Sequence, residues 1–212
     1  MTLPLPADPS RLWSQLDKTV RNQIRKAERL GLSVELGGAE KLTAFYETFV
    51  VRMRDLGSPV HDSRFLRAVL QSFGDRARVA LVRKGADAIG GLVALAFKDR
   101  VVVPWASCLK EYFALCPNML LYWETIRNAC AEGFRRFEFG RSTRGSGTYR
   151  FKRQWGACEE PLFWYTIPVH NRHAASMTPD GRAAAVITTA WRYLPLPVTR
   201  QLGPCIRKYL TQ

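Results

Sequence analysis

The chain has 212 residues, of which 47% are hydrophobic and 24% are charged, and 32 lysines and arginines against 18 acidic residues give a formal net charge of +14. This composition excludes a disordered chain and supplies enough apolar residues for one packed domain with an extension. The positive charge favours a polyanionic partner: nucleic acid, a phosphorylated or nucleotide-linked substrate, or an anionic membrane surface.

The five cysteines and three histidines are scattered along the chain, without the spacing of a zinc site or a redox motif. Residues 1–13 lack the cationic and apolar pattern of a signal peptide, and no apolar run approaches the ~18 residues of a membrane span. We therefore expect a cytoplasmic protein with reduced thiols, no metal and no resident cofactor.

Helices dominate the first part of the predicted structure. Apolar residues recur with helical spacing over 10–31, with Ser10 as the candidate N-cap and Gly31 as the terminator. A short strand, SVEL, is predicted next, and amphipathic helices follow over 39–56 and 62–74.

From residue 77 onward the apolar period changes from helical to alternating, which indicates strands. The pattern predicts three antiparallel strands, a helix from Pro117 to Gly133, a short strand RRFEFG, a short helix and a last strand PLFWYTIPV. The three strands cover 77–84, 88–99 and 100–108, and the short helix covers 149–155. Long helices on a mixed, mainly antiparallel sheet indicate an α+β fold.

The composition changes after Pro168, where a polar linker leads into a basic helical segment. We therefore divide the chain into a domain at 1–168 and a helical C-terminal extension at 169–212. Aromatic residues beside cations in this extension suit either peripheral contact with an anionic membrane, at its inner face, or docking on the sheet.

The order of these elements resembles the GNAT acyltransferase fold. Three segments also resemble the FemAB-type aminoacyl- and acyltransferases, and more narrowly the FemAB-like proteins associated with exosortase and exopolysaccharide systems. These segments are TVRNQIRKAERLGL at 19–32, PNMLLYWETIRNACAEGFRRFEFGRST at 117–143 and GTYRFKRQWG at 147–156.

The resemblance implies transfer of an acyl or aminoacyl group to an amine, often on a cell-wall or polysaccharide precursor. Well-studied members take aminoacyl-tRNA as donor and a nucleotide-linked or lipid-linked sugar precursor as acceptor, and such polyanions match the basic charge of this chain. Members usually carry two tandem GNAT-like domains, and we expect this chain to correspond to the C-terminal one.

Residues 140–156 form the strongest candidate site, with five cations, three aromatic residues and no carboxylate. Phe151 and Trp155 share a helix face flanked by Tyr149 and Lys152, which suits a base or sugar stacked on a ring beside a phosphate. Alternatively, both rings anchor the helix to the sheet and the cations are solvated. The resemblance implies that Lys152 lies near the acyl carbonyl and stabilises its developing oxyanion.

The loop before this helix, GRSTRGSG, combines glycines and hydroxyl residues with Arg141 and Arg144. Backbone N–H groups of such a loop can converge on an anion, although the pattern is equally that of an ordinary surface loop. Glu138, between two phenylalanines, is a candidate base for the acceptor amine, or else an ion-pair partner of Arg141 or Arg150.

Two further groups are candidates for substrate binding. Arg21 and Arg25 lie one helical turn apart beside Lys26 and can grip phosphates, as the resemblance implies, or form a solvated helix face. Asp55 and His61 follow a long helix at the place where GNAT folds bind the acceptor, although a helix-terminating loop is the simpler account of them.

GNAT enzymes that use acetyl-CoA carry a Q/RxxGxG/A motif whose amides cradle the pyrophosphate. The corresponding segment, SCLKEYFALCPNML, has no glycine, and Pro117 removes one amide. We therefore predict aminoacyl-tRNA or an unusual acyl donor. The alternatives are an acetyl-CoA-dependent N-acetyltransferase that uses acyl-CoA without this motif, and a non-catalytic adaptor that binds polyanions or membranes.

Overall fold

The computed structural model describes residues 1–163, 165 and 181–209. Within this part of the chain, six strands form one sheet in the order β1-β6-β5-β4-β3-β2, in which β5 and β6 are parallel and all other neighbours are antiparallel. The strands are β1 (Thr2–Pro4), β2 (Leu32–Gly37), β3 (Ala77–Lys84), β4 (Asp87–Phe97), β5 (Arg100–Cys108) and β6 (Arg136–Glu138). The mixed, mainly antiparallel α+β fold is confirmed.

Helices cover both faces of the sheet. Those of the described residues are α1 (Pro9–Gln15), α2 (Lys18–Arg29), α3 (Leu42–Leu56), α4 (Ser63–Phe73), α5 (Pro117–Ala131), α6 (Gly147–Arg153), α7 (Gly181–Tyr193) and α8 (Leu196–Arg207). No helix in the described ranges is long and apolar enough to cross a bilayer.

Two apolar cores lie on opposite faces of the sheet, because successive strand side chains point to opposite sides. On β3, Ala80 and Val82 face the core formed with α1, α2 and α5, whereas Val79 and Leu81 face the core formed with α3 and α4. Helices α7 and α8 pack against α3, where Arg200 donates two hydrogen bonds to Glu47 at 2.9 and 2.6 Å.

Several expected elements differ in detail. The expected helix over 10–31 is two helices, because the Asp17 carboxylate accepts the Thr19 N–H at 2.6 Å and starts α2 anew. Asp8 caps α1 in place of Ser10. Strand β1 is not anticipated by the sequence pattern. A strand is expected over 161–169. The residues of this range that the structure describes, 161–163 and 165, do not form a strand.

The remainder of that expected strand and the polar linker after it lie outside the described residues. The division between 1–168 and 169–212 falls in the same gap and stays a prediction.

Candidate active site

A cavity opens where the pairing of β5 with β6 ends, at Val102 and Glu138. Two residues of β5, Val103 and Pro104, lie opposite the single residue Ala94 of β4. Such a bulge accommodates a proline, which has no N–H to donate to a neighbouring strand. Beyond this point a cavity of about 770 Å³ lies between β5 and residues 139–141, which follow β6.

The chain turns at Gly140 into a loop that borders this cavity. Gly140 has a φ of 73°, and a Cβ added there would stand 3.3 Å from the Val103 carbonyl oxygen, so this position requires glycine. The loop ends at Ser146, whose Oγ accepts the N–H of Tyr149 at 3.1 Å and caps α6. The cap fixes where α6, and therefore Lys152, lies relative to the cavity.

Lys152 is the buried cation of this cavity, with only 7% of its surface exposed. Its Nζ donates to the carbonyl oxygens of Gly140 at 3.1 Å and Arg141 at 2.7 Å. Burial lowers the pKa of the ammonium to about 8. An ammonium has three N–H donors, so the two backbone contacts leave one donor for a group in the cavity.

The aromatic residues of α6 hold the helix on the sheet. Trp155 is 2% exposed, and its ring centroid lies 6.4 Å from that of Phe139. Phe151 meets Tyr122 edge-on at 5.1 Å between ring centroids. The anchoring alternative therefore describes Trp155, which is not accessible for stacking on a base or sugar.

The loop arginines border a second, more polar cavity of about 1030 Å³. Arg144 donates to Glu159 at 2.7 Å, and the hydroxyl of Tyr149 also donates to Glu159. Arg141 lines both cavities. The positive charge of residues 140–156 is therefore partly neutralised, because Glu159 lies just beyond this segment, which itself contains no acid.

Glu138 does not reach either cavity. The guanidinium of Arg100, on the neighbouring strand, donates to its carboxylate. Glu138 is expected to be either a base or an ion-pair partner of Arg141 or Arg150. The structure shows an ion pair, but its partner is Arg100. The across-strand pairing of Val102 with Glu138 brings Arg100 close, and sequence spacing does not reveal that register.

His61 and Asp55 lie on the opposite side of the sheet from α5 and do not line the cavity at Lys152. Asp55 is paired with Arg54 at 2.9 Å. The His61 ring stacks on Phe65 at 5.4 Å and accepts the Nε–H of Arg207 at 3.3 Å. Burial, together with the charge of Arg207, lowers the pKa of His61 to about 4.

The candidate cations of α2 are also separate from the cavity. Arg25 lies over the Trp13 ring at 5.5 Å, and Lys26 is exposed. Arg21 lies close to the N-cap carboxylate of Asp17 and helps to lower its pKa, behind the hydrogen bonds from Thr19. The structure brings Lys152, Arg141, Arg144 and Tyr149 together around the loop, whereas it does not bring α2 there.

A comparison with protein families identifies the family of this domain. The model of a family described as an acetyltransferase (GNAT) domain matches residues 14–153. The chain belongs to this GNAT domain family. The predicted fold and the predicted acyltransferase activity are thereby confirmed. Among curated protein sequences, none matches the chain.

Solved structures share the fold of this GNAT domain at low sequence identity. FemX superimposes with a TM-score of 0.66 and 14% identity, over 74% of this chain and 57% of FemX. An aminoglycoside acetyltransferase from an uncultured soil metagenomic sample superimposes with a TM-score of 0.53 and 16% identity. The match covers 65% of this chain and 97% of that acetyltransferase. A third structure is the C-terminal domain of a protein from Agrobacterium fabrum that is described as a lysylphosphatidylglycerol synthetase. It superimposes with a TM-score of 0.54 and 12% identity, over 73% of this chain and 56% of that domain's chain.

The start of α5 is where a GNAT domain would hold the diphosphate of CoA. Here Pro117 provides no amide, and the N–H of Met119 donates to the Cys116 carbonyl oxygen at 3.0 Å. The preceding short helical segment Lys110–Leu115 contains no glycine that would bring backbone N–H groups close to a phosphate. These residues do not fit a diphosphate bound in the usual way. In the part of the chain that is described, no group of histidine, cysteine or acidic residues could hold a metal.

Proposed function

We propose that this GNAT domain transfers an acyl or aminoacyl group to an amine on a phosphate-rich precursor of the cell envelope or of an exopolysaccharide. The observation that carries the proposal is the Lys152 Nζ, buried beside a cavity and held by two backbone carbonyl oxygens. The shared fold with FemX and the basic charge of the chain support a FemAB-type reaction with polyanionic substrates.

In this reaction the acceptor amine attacks the acyl carbon, and the carbonyl π electrons move to its oxygen. Lys152 donates its remaining N–H to that oxygen and stabilises the negative charge as it develops. The carbonyl double bond then re-forms as the leaving group departs with the bonding electron pair, and the leaving group takes up the proton that the amine loses. With a pKa of about 8, Lys152 is mostly charged at neutral pH, as this role requires.

Arg141 and Arg144 supply positive charge at the mouth of the neighbouring polar cavity, and we assign them to substrate phosphates. The Arg144 side chain is 83% exposed despite its contact with Glu159, so its guanidinium can exchange that carboxylate for a phosphate. We assign no proton transfer to Glu138, because its carboxylate is engaged by Arg100.

The donor in this proposal is aminoacyl-tRNA or another activated acyl group, bound without the usual diphosphate contacts. An acetyl-CoA-dependent N-acetyltransferase is the second candidate, because the matching family is an acetyltransferase family. Calorimetry with CoA separates the two. The first candidate predicts no saturable heat, whereas saturable binding with release of heat favours the second.

The deciding experiment incubates the protein with a labelled donor, either bulk tRNA charged with labelled amino acids or a labelled acyl thioester, and with amine-bearing nucleotide-linked and lipid-linked sugar precursors. We expect label in a precursor with the wild-type chain and loss of that product in Lys152→Met, which retains side-chain volume. Lys18→Met, at an exposed lysine of α2, is the matched control and should retain activity. Full activity of Lys152→Met would overturn the assigned role.

The site of action that we propose is the cytoplasm, at the inner face of the membrane where lipid-linked precursors are assembled. The exposed Tyr193 and Tyr209 beside basic residues of α7 and α8 support peripheral contact with anionic lipid. Flotation with vesicles that contain anionic phospholipid, compared with neutral vesicles, tests this contact.

A further inference from the structure

We propose that the cavity at Lys152 binds an extended apolar acyl chain, so that the donor carries a fatty or other long hydrocarbon group. This inference rests on the proposed function, since it assigns the substrate class of the same site. It starts from the walls of the cavity, which are formed on one side by four residues of β5. These residues are Val102, Val103, Pro104 and Ala106.

The opposite wall is aromatic and apolar as well. Tyr122 and Phe139 stack on each other with ring centroids 5.5 Å apart and close the cavity toward the core. Burial of Tyr122 raises the pKa of its hydroxyl far above the ordinary value, so this group stays neutral. Lys152, Arg141 and Thr148 provide the polar groups at one end.

The apolar lining continues to the mouth of the cavity. Leu162 and Phe163 line it, yet 64% and 75% of their surfaces are exposed to solvent. Adjacent exposed side chains of this size are typical of binding surfaces, because their hydration is unfavourable until a ligand covers them. A hydrocarbon chain that runs from Lys152 toward the mouth would cover both residues.

The neighbouring cavity is more polar. It is lined by charged and hydroxyl side chains, among them Arg144, Thr143 and Glu160. The two cavities share Arg141, Thr148 and Leu162, which form the boundary between them. A polar acceptor on one side and an apolar donor chain on the other would therefore meet beside the Lys152 ammonium.

The size of the cavity agrees with a long chain. Its volume of about 770 Å³ lies within the range of roughly 300–1,000 Å³ that encloses drug-sized ligands. An acetyl group would leave most of this apolar volume in contact with water. A chain of several methylene groups would replace that water and gain affinity with each group that it buries.

The test uses N-acetylcysteamine thioesters, which carry the acyl group without CoA or tRNA. Calorimetry compares the acetyl, butanoyl, hexanoyl and octanoyl thioesters. Each step adds two methylene groups, and we expect Kd to fall about fifteenfold per step while the chain stays inside the cavity. Equal affinity along the series would overturn the inference.

Two substitutions locate the chain in this cavity. Phe163→Ser and Leu162→Ser remove exposed apolar surface at the mouth and are expected to weaken octanoyl binding more than acetyl binding. The matched controls are Phe97→Ser and Leu30→Ser, which change exposed apolar residues outside this cavity. A loss of chain-length preference in the controls, or its persistence in both mouth variants, would overturn the assignment.

A further arm distinguishes a donor chain from the hydrocarbon of a lipid-linked acceptor. Octyl phosphate is titrated in competition with the octanoyl thioester, and tighter binding of octyl phosphate would assign the cavity to the acceptor instead.

The proposed function is separable from this inference. Label transfer that depends on Lys152, combined with a flat chain-length series, would retain the function and refute the apolar donor. A steep series without transfer from any donor would refute the function and retain the apolar cavity.

Discussion

The pH dependence of acyl transfer reports directly on the Lys152 ammonium. Its pKa is lowered to about 8 by burial, and the proposed role requires the charged form. With this pKa, about nine-tenths of the molecules carry the charge at pH 7, half at pH 8 and about one-tenth at pH 9. We therefore expect kcat/KM to fall about fivefold between pH 8 and pH 9 and about tenfold per pH unit above that.

Lys152→Arg is the matched variant, because a guanidinium does not titrate in this range. Its planar head cannot reproduce both carbonyl contacts, so we expect lower activity but no decline near pH 8. Dividing the wild-type profile by that of the variant removes the titration of the acceptor amine, which affects both. A ratio that is flat from pH 7 to about pH 9 would refute the reasoning.

Stability gives an independent measure of the same pKa. Because the pKa in the folded protein is about 8 and the ordinary value is 10.5, the unfolded chain binds more protons between these two values. The free energy of unfolding should therefore rise with pH across this window, by at most about 3 kcal/mol. Urea denaturation at both ends of the window should show this rise in the wild type and not in Lys152→Met.

Three further predictions concern other residues. Trp155→Ala should lower the free energy of unfolding by about 3–5 kcal/mol in chemical denaturation, because the ring is fully buried, and a loss below about 1 kcal/mol would contradict its anchoring role. Arg144→Ala should leave the free energy of unfolding nearly unchanged, because its ion pair is exposed, yet it should weaken retention on immobilised polyanions. His61 has a folded pKa of about 4 against 6.5, so stability should fall as pH falls between these values. Thermal melts of His61→Phe, which keeps the ring stacking, should show a smaller fall over this range than the wild type.

The elements with strong local patterns could be predicted from the sequence. Strands β3, β4 and β5 alternate clearly, and α5 is marked by Pro117 at its start. Strand β1 could not be predicted, because its three residues pair with β6, which is more than a hundred positions away in the chain. The break between α1 and α2 could have been predicted from Asp17, because aspartate is a residue type that prefers the N-cap position.

The site was predictable in its location and less so in its contacts. A lysine among cations and glycines indicated residues 140–156, yet only the fold turns Lys152 inward onto two carbonyl oxygens. The partner of Arg144 lies just outside the segment that attracts attention, at Glu159. Arg207 reaches His61 from the last described helix, and no spacing rule connects residues so far apart.

Strand β1 also has a consequence for how the protein is handled in the laboratory. Thr2 exchanges backbone hydrogen bonds with Cys158 at 2.9 and 2.8 Å, and the carbonyl oxygen of Met1 accepts the Phe139 N–H at 3.1 Å. The first residues therefore tie together the two stems of the segment that carries Lys152. An affinity tag or fusion partner joined before Met1 would emerge next to these stems, so a tag at the other terminus is the sound choice for kinetic work.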